Sequence, residues 1–210
     1  MAPPDSITAV ILAGGAARRL GGIDKGLQEY AGKPLIQHAI EHVQPQVAQI
    51  IVSANRHLNR YSALGYPVIP DLSWLASGRS PTPAQPQHYA GPLAGILSAL
   101  AYCQTPWLCS LPVDAPTLPP DLLTQLWHGA LQQNTALAYA IMDDRSQYAA
   151  ALVHKQLYPE LVRIYQGGER RLHLAWSACN GKGVVIASQT PFLNLNEWTD
   201  YERPFMEKRD

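Results

Sequence analysis

The sequence has few charged residues and no net charge. Asp, Glu, Lys and Arg make up 15% of its 210 residues, and 16 cationic side chains balance 16 anionic ones. Without an excess of positive charge, a protein lacks the overall field that attracts nucleic acid or an anionic membrane. We therefore expect neither as a partner. The cations gather within the first 33 residues and again near residues 169–171, which favours local anion-binding sites.

Cysteine is also scarce. Three cysteines stand at positions 103, 109 and 179, with no C-x-x-C spacing. An odd number without that spacing argues against a disulfide framework or a zinc site and favours reduced thiols in a cytosolic protein. The first residues lack a basic head followed by an apolar core, so no secretory signal is expected. We expect a cytoplasmic protein.

Residues 80–113 contain no Asp, Glu, Lys or Arg, and such a lack of charge is typical of a membrane span. Six prolines divide this stretch into pieces too short to cross a bilayer, so we expect no membrane-embedded segment. With 47% hydrophobic residues, the chain has enough apolar material for one globular domain over residues 1–210.

Apolar runs alternate with helical patterns over the first two thirds of the chain. Such alternation predicts a mainly parallel sheet with helices on both faces, a three-layer α/β sandwich. The last third predicts an antiparallel pair that makes the sheet mixed. Predicted strands cover 7–12, 48–54, 66–70, 107–113, 135–142, 147–153, 183–187 and 192–195, and predicted helices cover 35–43, 55–64, 91–103, 119–131, 157–166 and 170–179.

A glycine-rich segment, residues 12–26, follows the first predicted strand. Two glycine pairs let the backbone approach a ligand closely, and Arg18, Arg19 and Lys25 add the positive charge that a polyphosphate requires. A strand-to-helix connection with solvated cations is the alternative. Neither G-x-x-x-x-G-K-[ST] nor G-x-G-x-x-G occurs, which excludes a P-loop NTPase and a dinucleotide-binding oxidoreductase.

Three polar side chains end other predicted strands: Ser53, Asp71 and Asp114. Ligands of parallel α/β sheets bind at this edge. Asp114 lies between two prolines, and a carboxylate so placed is a suitable Mg²⁺ ligand, although it can instead cap a following helix. Asn196 offers an amide oxygen to the same ion, or acts in a turn or cap.

The pattern H-x-x-E-H, formed by His38, Glu41 and His42, is typical of one zinc-protease class. The apolar stripe of the same predicted helix runs through Ile36 and Ile40, which leaves the three polar residues on the opposite side. A solvated helix face is therefore favoured over a zinc site.

The motif Leu12-Ala13-Gly14-Gly15-x-x-x-Arg19-x-Gly21-Gly22-x-Asp24-Lys25, followed by Gly32-Lys33-Pro34-Leu35, resembles the molybdenum cofactor guanylyltransferases, the MobA family. These are similar in fold to sugar-nucleotide pyrophosphorylases, so a Rossmann-like nucleotidyltransferase fold is implied. Further matching segments extend over most of the chain: 55–57, Asp71, 91–95, 114–116, 168–171 and 194–196.

The resemblance implies transfer of GMP from GTP to molybdopterin with release of pyrophosphate and with Mg²⁺ as cofactor. It implies a nucleotide-binding part at about 1–130 and an acceptor-binding part at about 131–210. Proteins that deliver molybdopterin or accept the finished cofactor are further candidate partners. Transfer of CMP or another nucleotide to a pterin or sugar phosphate, and a GTP-binding module without turnover, remain alternatives.

The resemblance also implies roles for individual residues. Asp71 is expected to bind either the guanine base or the ribose, and Ser53 stands where the family tends to place a base-contacting Asn. The arginine pair 170–171 contacts the acceptor or, alternatively, starts a solvated helix. The implied sets are catalytic Lys25, Asp114 and Arg19; nucleotide-binding Leu12, Ala13, Gly14, Gly15, Lys25, Ser53, Asp71 and Asp114; acceptor-binding Gly22, Arg170, Arg171 and Asn194; and metal-binding Asp114 and Asn196.

Overall fold

A seven-stranded sheet forms the centre of the computed structural model, which describes residues 4–15, 23–71, 90–188, 192–195 and 200. A separate two-stranded hairpin, formed by Glu29–Tyr30 and Lys33–Pro34, precedes the first helix. The strands are β1 Ile7–Leu12, β2 Glu29–Tyr30, β3 Lys33–Pro34, β4 Gln49–Ser53, β5 Val68–Ile69, β6 Trp107–Pro112, β7 Leu137–Met142, β8 Arg145–His154 and β9 Lys182–Val185.

The sheet is mainly parallel and mixed, as predicted. Its strand order is β5-β4-β1-β6-β8-β7-β9. The pairs β4–β5, β1–β4, β1–β6 and β7–β9 are parallel, whereas β8 runs antiparallel to both of its neighbours. Because β1 lies between β4 and β6, the carboxyl ends of these three strands meet at one edge of the sheet.

Helices cover both faces of the sheet, and the strand side chains alternate between two cores. Along β1, Ile7 and Ile11 point into one core with the helices Leu35–Val43 and Leu122–Gln132, while Val10 points into the other with the helices Pro92–Tyr102, Tyr158–Gln166 and Leu172–Ala178. The three-layer architecture is therefore confirmed. The helices are α1 Leu35–Val43, α2 Leu58–Ser62, α3 Pro92–Tyr102, α4 Leu122–Gln132, α5 Tyr158–Gln166 and α6 Leu172–Ala178.

Several predicted boundaries are wrong. The helix predicted at 55–64 is shorter, because Asn55 and Arg56 belong to a bend and His57 adopts a positive φ of 49° before α2 begins. Residues 192–195, predicted as a strand, form no strand. The connection between the predicted strands 135–142 and 147–153 is a two-residue turn. Asp143 and Asp144 both have positive φ, which matches the right-handed twist of hairpin strands, and β8 begins directly afterwards.

The cysteines are free thiols, as expected. Complete burial raises the pKa of Cys109 to about 12, so this side chain stays protonated and neutral in the core. Among the described residues, no helix is both long and apolar enough to cross a membrane.

Candidate functional site

A cleft of about 260 Å³ opens at the edge of the sheet where β1, β4, β5 and β6 end. Its volume is close to the lower end of the range for small-molecule sites, roughly 300–1,000 Å³. Segments distant in sequence meet here, as the strand-end argument predicts. The lining residues are Leu12, Gly14, Gly15, Ser53, Asn55, Asp71, Gly91, Pro92, Gly95, Pro112, Asp114, Ala149 and Asn194.

The glycine-rich segment enters the cleft directly from β1. Ala13 is buried, and its backbone N–H donates to the carbonyl of Ser53 at 2.8 Å, which continues the pairing of β1 with β4. A side chain at Gly14 would place its Cβ 3.0 Å from the Asn55 amide nitrogen. Glycine at position 14 therefore avoids this close contact, and the backbone of residues 14 and 15 lines the cleft.

Lys25 and Asp114 form an ion pair at the cleft. The ammonium group donates to Asp114 Oδ2 at 2.8 Å, and the two side chains are 14% and 19% exposed. Lys25 comes from a short 3₁₀ turn, Lys25–Leu27, and Asp114 from the turn after β6. No helix begins directly after Pro116, since α4 starts at Leu122, so Asp114 does not act as a helix cap.

Asp71 is paired with Asn55, which belongs to the family-matching segment 55–57 but had no predicted role in the site. The Asn55 amide donates to Asp71 Oδ2 at 3.0 Å, and the Asp71 backbone N–H donates to Asn55 Oδ1 at 2.8 Å. Both residues are buried, and burial raises the pKa of Asp71 although the hydrogen bond from Asn55 opposes the increase. The sequence signal that could have identified Asn55 as a site residue is its position two residues after the end of β4.

Ser53 lies at the floor of the cleft against α3. A Cβ atom at Gly95 would stand 2.5 Å from Ser53 Oγ, so the hydroxyl occupies the space beside that glycine. An amide side chain nevertheless reaches the cleft from β4, because Asn55 follows Ser53 by two residues.

Asn194 brings an oxygen atom to the same cleft. Its Oδ1 is buried, and within the described part of the chain it has no hydrogen-bond partner. The next residue, Leu195, donates its backbone N–H to the carbonyl of Asp114 at 2.9 Å, which ties the two segments together. A carboxylate and an unpaired amide oxygen are oxygen donors of the type that hard divalent cations prefer. These residues fit a metal that also takes ligands from a bound phosphate.

The arginine pair after α5 does not line the cleft. The Arg170 guanidinium stacks 3.5 Å above the ring centre of Tyr165, and Arg171 pairs with Glu169 at 2.9 Å. Near the cleft, the Arg170 carbonyl oxygen and Cβ would lie 3.8 and 3.9 Å from a Cβ at Gly91, whereas the guanidinium points to Tyr165. The pair immediately precedes α6, as the alternative interpretation of a helix start predicts.

Three further predicted site residues, Arg19, Gly22 and Asn196, lie outside the described residues.

The H-x-x-E-H residues of α1 have structural contacts. His38 Nε2 lies 2.7 Å from the carbonyl of Tyr30, and exposed Glu41 pairs with Lys33 at 2.7 Å. Of the predicted solvated face, Glu41 is exposed, whereas both histidines are half-buried. No cluster of three or more His, Cys, Asp or Glu side chains suited to a metal occurs among the residues that the structure describes.

Comparison with known proteins shows to which family the chain is similar. Residues 9–179 match the family model described as "MobA-like NTP transferase domain". The molybdenum cofactor guanylyltransferase of Serratia proteamaculans is 38% identical over 206 residues, which cover 97% of this chain and 96% of that protein.

Two solved structures share the fold. Molybdopterin-guanine dinucleotide biosynthesis protein A from Archaeoglobus fulgidus superposes with a TM-score of 0.70 at 20% identity, over 93% of this chain and 95% of that one. A Mycobacterium tuberculosis protein in complex with manganese gives a TM-score of 0.65 at 15% identity, over 94% and 96% of the two chains. The sheet and its flanking helices thus form a nucleotidyltransferase fold.

Proposed function

Because the chain belongs to the MobA-like NTP transferase family, we propose that it transfers GMP from GTP to molybdopterin. An oxygen of the molybdopterin phosphate would form a bond to the α-phosphorus of GTP while the bond from that phosphorus to the β-phosphate oxygen breaks. The products are molybdopterin guanine dinucleotide and pyrophosphate. The observation that carries the proposal is the meeting of Lys25 and Asp114 beside the Gly14–Gly15 backbone.

The cleft suits a triphosphate in both geometry and charge. Backbone approach at Gly14 and Gly15 supplies close contact for phosphate oxygens without a side chain in the way. Lys25 supplies a positive charge beside Asp114, and its ammonium group would move from Asp114 to the phosphates when the nucleotide binds. There it would stabilise the negative charge that develops as pyrophosphate leaves. Arg19 is proposed to hold the same polyphosphate.

Magnesium is the proposed metal, held by Asp114 with the Asn194 amide oxygen nearby and with Asn196 as a further candidate. When bound, such an ion neutralises phosphate charge and orients the reacting groups, which contributes several kcal/mol to lowering the barrier. The manganese bound by the structurally similar Mycobacterium protein supports the use of a divalent cation here.

Asp71 and Asn55 are proposed to recognise the nucleoside. The reciprocal hydrogen bonds between them fix the orientation of the Asp71 carboxylate, which remains able to accept N–H groups from guanine or hydroxyl groups from ribose. Leu12 and Ser53 would border the nucleoside from the ends of β1 and β4. On the acceptor side, Gly22, Arg170, Arg171 and Asn194 remain the candidates.

Product analysis tests the proposal. Purified protein is incubated with Mg²⁺, molybdopterin and either GTP or CTP, and the dinucleotide product and pyrophosphate are quantified. We expect guanine dinucleotide with GTP and much less product with CTP. Asp114→Asn should lose nearly all activity. Asp144→Asn is the matched control, because this exposed carboxylate lies in a hairpin turn whose positive φ asparagine also tolerates.

The alternatives give different results in the same assay. A preference for CTP would show that the protein transfers CMP and not GMP. Tight GTP binding without product, with active molybdopterin present, would indicate a binding module. Equal product from wild type and Asp114→Asn would remove Asp114 from the reaction.

A further inference from the structure

A buried carboxylate lies directly before the proposed catalytic lysine. Asp24 has a side chain that is 3% exposed and is surrounded by polar groups from the segment after β4. The Tyr61 hydroxyl donates to Oδ1 at 2.5 Å, and Nδ1 of His57 lies 2.9 Å from Oδ2. Nε of Arg56 lies 3.6 Å from the same Oδ2. Since isolated buried charges are costly, this carboxylate is stable only because these partners surround it.

Arg56 also donates hydrogen bonds to two backbone carbonyl groups of the glycine-rich segment. One terminal nitrogen donates to the carbonyl of Gly15 at 3.0 Å and also to the carbonyl of Ile23. Gly15 lines the cleft, and Ile23 stands two residues before Lys25. A single guanidinium group therefore connects the start of the segment, its end and the buried Asp24.

The geometry suits arginine and no other cation. A guanidinium group is planar and carries five N–H donors in a fixed arrangement, so it can bind a carboxylate on one side and carbonyl groups on another. An ammonium group is a compact charge without this fixed arrangement. The Arg56 side chain is 30% exposed. It does not fill the hydrophobic core, and added small molecules can reach its position.

We propose that Arg56 is a positioning residue for nucleotidyl transfer. By holding the carbonyl groups of Gly15 and Ile23 together and pairing with Asp24, it fixes the distance between the phosphate-facing backbone and Lys25. Arg56 does not itself contact the transferred group. This role rests on the proposed function, since it concerns the site where the nucleotide binds and reacts.

The network on Asp24 keeps this arrangement rigid. Tyr61 is fully buried, and a Cβ atom at Gly26 would stand 2.4 Å from its hydroxyl oxygen. Glycine at position 26 thus lets Tyr61 reach Asp24 beneath the turn that carries Lys25. Burial and the hydrogen bond to Asp24 raise the pKa of Tyr61, so the phenol stays protonated and able to donate at neutral pH.

The test compares Arg56→Ala, Arg56→Lys and Arg60→Ala. Arg60 is an exposed arginine on α2 and serves as the matched control. GTP binding is measured by calorimetry, and turnover is measured as pyrophosphate release. A misplacement of about 1 Å can lower a rate by about 10²-fold. We expect a loss on that order in kcat for Arg56→Ala, together with weaker GTP binding. Arg56→Lys should recover little, and Arg60→Ala should behave as wild type.

Chemical rescue separates positioning from a loss of folding. Ethylguanidinium at millimolar concentration should restore several-fold activity to Arg56→Ala, because the vacated position is partly open to solvent. It should restore nothing to Lys25→Ala, where the missing group is an ammonium. Circular dichroism establishes that each variant is folded. If Arg56→Ala does not fold, the turnover and GTP affinity of Arg56→Lys test the positioning role, because this variant keeps the charge and most of the side-chain volume.

Full activity and full GTP affinity in Arg56→Lys would overturn the proposal, because a charge alone would then suffice. Unchanged turnover in folded Arg56→Ala would overturn it as well. If wild type binds GTP but makes no guanine dinucleotide, the proposed function fails, whereas the effect of Arg56→Ala on GTP affinity still tests the positioning role.

Discussion

Replacement of Gly95 by alanine provides a quantitative test of how the cleft floor is packed. Gly95 lies in α3, where it faces the end of β4. A Cβ atom at this position would stand 2.5 Å from Ser53 Oγ, 3.1 Å from Leu12 Cδ2 and 3.3 Å from Ser53 Cβ. The first distance is far too short for non-bonded atoms, and buried Ser53 has little room to move.

Two opposing effects determine the stability of Gly95→Ala. Alanine in a helix interior is favoured over glycine by about 1 kcal/mol. Overpacking a buried site typically costs about 1–3 kcal/mol. We therefore expect a net decrease of about 1 kcal/mol in the free energy of unfolding. The same methyl group narrows the cleft, so GTP should also bind less tightly.

A double-mutant cycle with Ser53→Ala isolates the contact. Removing Oγ eliminates the 2.5 Å approach but leaves the 3.3 Å approach to Cβ, so relief should be partial, with a coupling energy of about 1 kcal/mol. Urea unfolding of wild type, the two single variants and the double variant measures this coupling energy. As a control, the same cycle is carried out with Ser110→Ala on β6 in place of Ser53→Ala, where the two effects should add. A stabilised Gly95→Ala variant, or additive effects in the cycle, would refute the packing argument.

Two further predictions concern a buried tyrosine and a half-buried histidine. Tyr61→Phe removes a hydrogen bond to the buried Asp24 carboxylate and should lower the free energy of unfolding by about 1.5–3 kcal/mol in urea titrations; no change would mean that Asp24 does not need this donor. Burial lowers the pKa of His42 to about 4, although Asp121 partly opposes this. Below pH 6.5 the unfolded chain therefore binds a proton at His42 that the folded chain does not bind. As the pH falls from 6.5 to 4, the free energy of unfolding of the wild type should decrease by up to about 1.4 kcal/mol per pH unit. His42→Gln should lack this component when unfolding is compared at pH 7 and pH 5, and an identical loss in both proteins would contradict the assignment.

The sequence predicts the sheet and its functional edge well, because these depend on local patterns. Apolar runs identify the strands, and the carboxyl ends of parallel strands necessarily meet, so Asp71 and Asp114 were expected in one place. The contact between Lys25 and Asp114 joins residues 89 positions apart, and no periodicity encodes it. The resemblance, and not composition or spacing, indicated that these two residues act together.

Other features depend on contacts that a single sequence does not reveal. Asn55 is an ordinary turn residue by its neighbours, and only the fold shows that its amide binds Asp71. Arg56 bonds to backbone carbonyl groups, and such acceptors carry no residue-specific signal. The hairpin β2–β3 contains two residues in each strand, which is too short for an alternating pattern.

A crystal structure with Mg²⁺ and a non-hydrolysable GTP analogue tests the central claim most directly. We expect the phosphates against Gly14 and Gly15, the metal on Asp114, and Lys25 Nζ moved from its 2.8 Å contact with Asp114 to a phosphate oxygen. A nucleotide bound away from this cleft, or a bound nucleotide that leaves the pair of Lys25 and Asp114 intact and free of metal, would contradict the account.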